Sequence, residues 1–197
     1  MIQEFLRRAA AGQSVYITDV REAFQAKGTR PFHLHVTLYD RSVRAFNLRL
    51  PETAGEDEER FVAEYVYANV YNLLSSLGGI RVDIYLNQTD GAALALAESL
   101  SSVFQLDRPK TARTGYGKCL NVNERILAAF FSCRERFSFG IRDIGEEPAE
   151  QPAKSSAGHP VFAQLPSRTE GRMVLGMDIG GTDVKLAVSV DGRLALC

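Results

Sequence analysis

The stretch LGMDIGGTDVKLAVSVDG, Leu175–Gly192, places a carboxylate, two adjacent glycines, a hydroxyl and a cation within a few residues of one another. Glycine lets a backbone approach a phosphate closely and aim its N–H groups at it. Gly180 and Gly181 are therefore candidate phosphate contacts. Thr182 adds a hydroxyl donor and Lys185 a positive charge. Asp178, expected at the end of a strand, supplies a carboxylate able to hold hydrated magnesium beside such phosphates. The rival reading is a Gly-Gly hairpin with an incidental aspartate. The concentration of Asp, Gly, Thr and Lys at one strand–turn–strand junction favours the phosphate reading.

Two strands must position these groups. Met173–Ile179 is an apolar run broken only by Gly176 and Asp178, which predicts a central, buried strand. After the turn, Val184, Leu186, Val188 and Val190 alternate with Lys185, Ala187 and Ser189, as in a strand with one buried face. Asp191-Gly192 signals a tight hairpin, with a third strand beginning over Arg193–Leu196.

The octapeptide D178-I-G-G-T-D-V-K185 resembles the first phosphate loop of the actin-like ATPase superfamily, which includes sugar kinases, Hsp70-type chaperones and actin. Its DIGGT form is most similar to the ROK family (repressors, open reading frames, kinases). The resemblance spans Val174–Leu196, about an eighth of the chain. It implies that Asp178 positions Mg2+ and that Gly180, Gly181, Thr182 and Lys185 contact the phosphates of ATP. Asp183 departs from the pattern in which a lysine or small residue follows the threonine, and a carboxylate there opposes phosphate binding. In the family this loop opens a domain of several hundred residues. The later catalytic aspartate, the Cys/His zinc cluster of many members and the adenosine loop have no counterpart here. The expectation is therefore the N-terminal fragment of a ROK-type, glucokinase-like sugar kinase, carrying no catalytic residue itself and inactive alone. Its parent would take a nucleotide and a hexose. The alternative is a fragment of a ROK-type sugar-responsive regulator that binds ligand without phosphorylating it.

The rest of the chain sets the context. It has 197 residues, 23 basic and 24 acidic, for a net charge of −1, and 45% are apolar. No overall field favours nucleic acid or an anionic membrane. No apolar run reaches the roughly 20 residues of a membrane span. The start, MIQEFLRRAAAGQ, lacks a signal-peptide core, and the three cysteines form no CxxC pair. A cytoplasmic, soluble protein with free thiols is expected, with a homo-oligomer as one possible assembly.

Residues 146–172, rich in Pro, Ala, Glu and Ser, read as a linker between an N-terminal domain over 1–145 and the start of the kinase-like domain over 173–197. The N-terminal part reads as α/β or α+β: a mixed sheet with packed helices, followed by the first hairpin of an actin-like (RNase H-like) domain. Helices are predicted over Met1–Ala11, Thr18–Lys27, Glu56–Leu77, Ala92–Leu106 and Asn123–Phe137. Asp19 and Glu22 suggest a capping box, and Thr89 or Asp90 a further cap. Phe32–Tyr39 and Val43–Leu50 form a hairpin around Asp40-Arg41-Ser42, and Ile80–Leu86 alternates as a strand. No basic recognition helix is evident, so nucleic acid is not an expected partner. A further reading makes residues 1–145 an accessory module for partner binding or assembly, and element order alone gives it no function.

Four other groups invite chemistry. Gly115-Tyr116-Gly117-Lys118 resembles part of a P-loop, but Ala112 and Cys119 stand where that motif needs Gly and Ser/Thr, so a mobile glycine loop is expected. His33 and His35, two apart on a strand, share a face and could bind a metal. With no evident third ligand they read as a polar sheet face. Cys119 and Cys133 read as core thiols, and Arg134 and Arg136 as solvated surface.

Overall fold

A computed structural model describes residues 1–130, 135–149, 169–179, 184–191 and 193–196. The chain divides into two compact units, Met1–Glu147 and Pro148–Cys197.

The first unit is mixed α/β. Its elements run α1 (Ile2–Ala10), α2 (Ile17–Lys27), β1 (Arg30–Thr37), β2 (Val43–Leu50), α3 (Glu56–Leu77), β3 (Arg81–Leu86), α4 (Gly91–Val103), α5 (Gly117–Phe130) and β4 (Ser138–Asp143). Short 3₁₀ turns lie at Lys110–Ala112 and Ile144–Glu146. The sheet order is β2-β1-β3-β4. β1 is antiparallel to both neighbours, and β3 runs parallel to β4. A parallel pair needs a crossover connection, which α4 and α5 supply.

Alternation along each strand sorts the side chains onto two faces. Phe32, Leu34 and Val36 of β1, Leu48 of β2, and Val82, Ile84 and Leu86 of β3 face the helices. They merge into one core with Phe5 of α1, Phe24 of α2, Val66 and Leu74 of α3, Leu100 of α4 and Leu120 of α5. The result is a two-layer sandwich, with helices stacked on one face of the sheet. No helix among the described residues is long and apolar enough to cross a membrane.

Local chemistry explains several boundaries. α3 starts with Glu56, Asp57, Glu58 and Glu59 against its positive end. It stops at Gly78, whose φ of 69° suits glycine. The buried Asn123 then donates its side-chain N–H to the Leu74 carbonyl at 2.9 Å, satisfying a helix-end acceptor. Asp90 caps α4 by accepting from the Ala93 amide at 3.0 Å.

Other expectations need correction. No capping box forms at α2: its cap is Tyr16, without a side-chain bond, and Asp19 lies within the first turn. α5 begins at Gly117, not Asn123, and β4 occupies a segment that carries no strong strand pattern. Gly115 lies in a turn, and Gly117, expected in a loop, is the first residue of α5. Gly115 has φ 52°, and a side chain at Gly117 would stand 3.1 Å from the Phe104 carbonyl oxygen.

The second unit contains β5 (Met173–Ile179), β6 (Val184–Val190) and β7 (Arg193–Leu196), an antiparallel sheet ordered β5-β6-β7. β5 is thus an edge strand rather than a central one, with Met173, Leu175 and Met177 exposed at 74%, 58% and 57%. Leu186 and Val190 of β6 are also exposed. The described residues of this unit supply no second layer to cover these side chains. Most of the expected linker, residues 150–168, lies outside the described residues.

Candidate functional site

The phosphate-loop candidates lie at the β5–β6 connection. Met173 pairs with Val190 at one end of the ladder and Ile179 with Val184 at the other. Asp178 and Lys185 are Cα partners, one position inside that closing pair. Gly180, Gly181, Thr182 and Asp183 form the connection itself and lie outside the described residues, as do Gly192, Cys133, Arg134 and Cys197. A hairpin thus brings a carboxylate-bearing and an ammonium-bearing residue to the two sides of one glycine-rich connection.

A second polar assembly lies on the sheet face opposite the helices. Register aligns Asn47, His33, Tyr85 and Arg142 in one cross-strand row, and Ala45, His35, Asp83 and Gly140 in the next. Asp83 is clasped by Arg81, whose Nε and Nη2 donate at 2.8 and 2.6 Å, and by Arg142 Nε at 3.2 Å. Burial pushes the Asp83 carboxyl up, but the bonds and charges of Arg81 and Arg142 outweigh it and hold it below its ordinary range. Gly140 leaves the space this clasp occupies: a side chain there would collide with Asp83 and Arg81.

The histidines occupy the polar face expected of them, but they have a partner that spacing did not reveal. Glu147, directly after the 3₁₀ turn, places Oε2 2.8 Å from His33 Nδ1 and Oε1 2.8 Å from His35 Nε2. Burial raises the Glu147 carboxyl, yet hydrogen bonds from both rings hold it net below its usual value. An ionised carboxylate only accepts, so both imidazoles donate. The His35 ring also lies 4.6 Å from that of Tyr85, centroid to centroid. Although Glu147 completes a trio, the three groups bond to one another. Among the described residues no group of His, Cys, Asp or Glu is arranged to hold a metal ion.

The remaining candidates are structural. Cys119 is buried, accepts from Ser75 Oγ at 3.3 Å, and has its thiol pKa pushed up by burial, which disfavours the nucleophilic thiolate. A cleft of about 380 Å³ between the Lys110–Ala112 turn and α5 is lined partly by Arg113, Glu124 and Arg136. Arg113 is engaged there, donating Nε to the carbonyls of Gln105 and Arg108 and pairing with Glu124 at 3.1 Å. Comparison of the chain with protein-family models, with curated proteins and with solved structures gives no match.

Proposed function

We propose that the β5–β6 hairpin is the first phosphate loop of an ATP-dependent, ROK-type sugar kinase of the actin-like ATPase superfamily. The observation that carries this reading is the strand–connection–strand frame of DIGGTDVK, with Asp178 and Lys185 opposed on either side of Gly180–Asp183. The residue types fit the task. Backbone N–H groups at Gly180 and Gly181 and the hydroxyl of Thr182 suit phosphate oxygens. Asp178 offers the hard oxygen ligand that Mg2+ prefers, and the ion would neutralise charge on the phosphates. Lys185 adds a cation. A hexose hydroxyl is the proposed acceptor.

The test is steady-state kinetics of the full-length protein with ATP and a panel of hexoses, comparing wild type with Asp178→Asn. Asparagine keeps the shape and removes the charge. kcat is expected to fall roughly 100-fold or more, with a smaller change in ATP affinity. An unchanged kcat in the folded variant overturns the phosphate-loop reading. Hexose binding without turnover by wild type replaces the kinase with a sugar-responsive regulator.

A further inference from the structure

The chain as a whole carries a net charge of −1, yet the cleft between the Lys110–Ala112 turn and α5 gathers positive charge. Arg108, Lys110, Arg113 and Arg136 line it together with two carboxylates, Glu124 and Glu135. Glu135 is already matched: Arg41, from the β1–β2 turn, donates both of its terminal nitrogens to it. Glu124 lies 3.1 Å from Arg113 and 3.7 Å from Lys110, one anion between two cations. Arg108 and Arg136 make no ion pair among the described residues. An excess of one sign in a concavity is concentrated by its low-dielectric walls. We propose that this cleft binds the phosphate group of a small phosphomonoester. The site shares no residue with the β5–β6 hairpin and does not rest on the kinase reading.

Arg113 itself is structural, and that is what makes the site a built one. Its side chain is only 5% exposed, and Nε donates to the carbonyls of Gln105 and Arg108 at 3.2 Å each. Those bonds brace the backbone that carries Arg108, while the contact with Glu124 ties the same side chain to α5. Arg113 Nη1 and Glu124 Oε2 make no hydrogen bond despite their 3.1 Å separation. A buried ion pair held this loosely is a poor stabiliser of a fold. It does hold a fixed charge in the cleft wall. Arg108, Lys110 and Arg136 are exposed and supply the donors that an anion can reach.

The lining also selects the class of anion. Guanidinium forks match phosphate oxygens, and charge-assisted bonds of this kind are short and strong. Even with Arg41 left out, four cations face two carboxylates, and the excess suits a phosphomonoester, close to a dianion near neutral pH. Pro109 and Leu127 add an apolar wall. The volume of about 380 Å³ falls within the roughly 300–1,000 Å³ of small-molecule sites. That leaves room for an organic body beside the phosphate, which distinguishes an ester from the free ion.

Phenyl phosphate, a dianionic head on an apolar ring, tests this by titration into the 15N-labelled full chain with backbone amide shifts followed. Shifts are expected to concentrate at residues 108–113, at Leu127 and at Arg136. Inorganic phosphate should bind the same residues roughly tenfold more weakly, because it buries no apolar surface. Phenol, which lacks the charge, should not bind. Arg108→Gln with Arg136→Gln changes two exposed side chains, leaves the core intact and should weaken phenyl phosphate roughly tenfold or more. Shifts that miss the cleft overturn the proposal, and so does an affinity unchanged in the double variant. Phenol binding as tightly as phenyl phosphate overturns the recognition of phosphate. Inorganic phosphate binding as tightly overturns the assignment of an ester.

Discussion

Asp178 and Lys185 stand opposite each other in the β5–β6 ladder, next to the Ile179–Val184 pair that closes it. Directly opposed positions on two antiparallel strands lie about 5 Å apart, nearer than same-face neighbours two apart along one strand. Under the phosphate-loop reading they divide the work. Asp178 acts where charge develops, and Lys185 on the phosphates already present in the ground state. Lys185→Ala should raise KM for ATP about tenfold, the scale of one hydrogen bond to a charged group, with kcat changed much less. The two parameters, measured separately in the full-length protein, check this. A fall in kcat with KM unchanged contradicts the assignment.

Met1–Glu147 should fold by itself. Its described helices and strands feed one buried cluster, and on the sheet's polar face Glu147, Arg81 and Arg142 bond the histidines and Asp83 within the unit. A chain ending at Glu147 should keep the far-UV circular dichroism of the α/β unit and melt in one cooperative transition. A broad, non-cooperative melt would show that the second unit is needed.

Gly28 and Gly91 should respond oppositely to alanine. A Cβ at Gly28 would stand 2.6 Å from the Phe24 carbonyl oxygen and 2.9 Å from the Arg49 carbonyl carbon, both backbone atoms that cannot swing aside. Gly28→Ala should cost roughly 2 kcal/mol or more, because α2 must lift from β2. At Gly91 a Cβ meets nothing within 4 Å. Gly91→Ala should stabilise α4 by about 0.5 kcal/mol by restricting the unfolded chain. Denaturant unfolding of both variants tests the contrast.

Tyr116 should ionise late. Burial, followed by its hydrogen bond to Glu64, raises its pKa from 10.0 to about 12, and its hydroxyl donates to Glu64 Oε2 at 2.8 Å. The folded value exceeds the unfolded one, so the contribution is complete below pH 10 and is lost as pH rises toward 12. Of the seven tyrosines, Tyr116 should be among those that lag in an ultraviolet phenolate titration of the folded chain, together with Tyr65 and Tyr85, which burial also raises. Tyr116→Phe should remove one phenolate's worth of absorbance from the lagging component and leave the rest.

Local signals located much of this fold. The acidic start, apolar stripe and Gly78-Gly79 stop delimit α3 as Glu56–Leu77, and strict alternation marks β3. The Asp40-Arg41-Ser42 turn likewise marks the β1–β2 hairpin. Such signals work because helix and strand periods are properties of neighbouring residues. They failed where neighbours mislead. Gly115 and Gly117 read as a loop although the second opens α5, and SFGIRD, with a glycine and two charges, hid β4.

By itself, the sequence determined which residue types could serve a phosphate and that His33 and His35 share a face. Tertiary structure decided their company. Sheet order and the parallel β3–β4 pairing return the chain so that Glu147 meets His33 across 114 positions, a relation no periodicity encodes. The same holds for burial. The apolar run of β5 looks like an interior strand, but a side chain is buried only when another layer covers it, and the described part of its unit places β5 at an exposed edge.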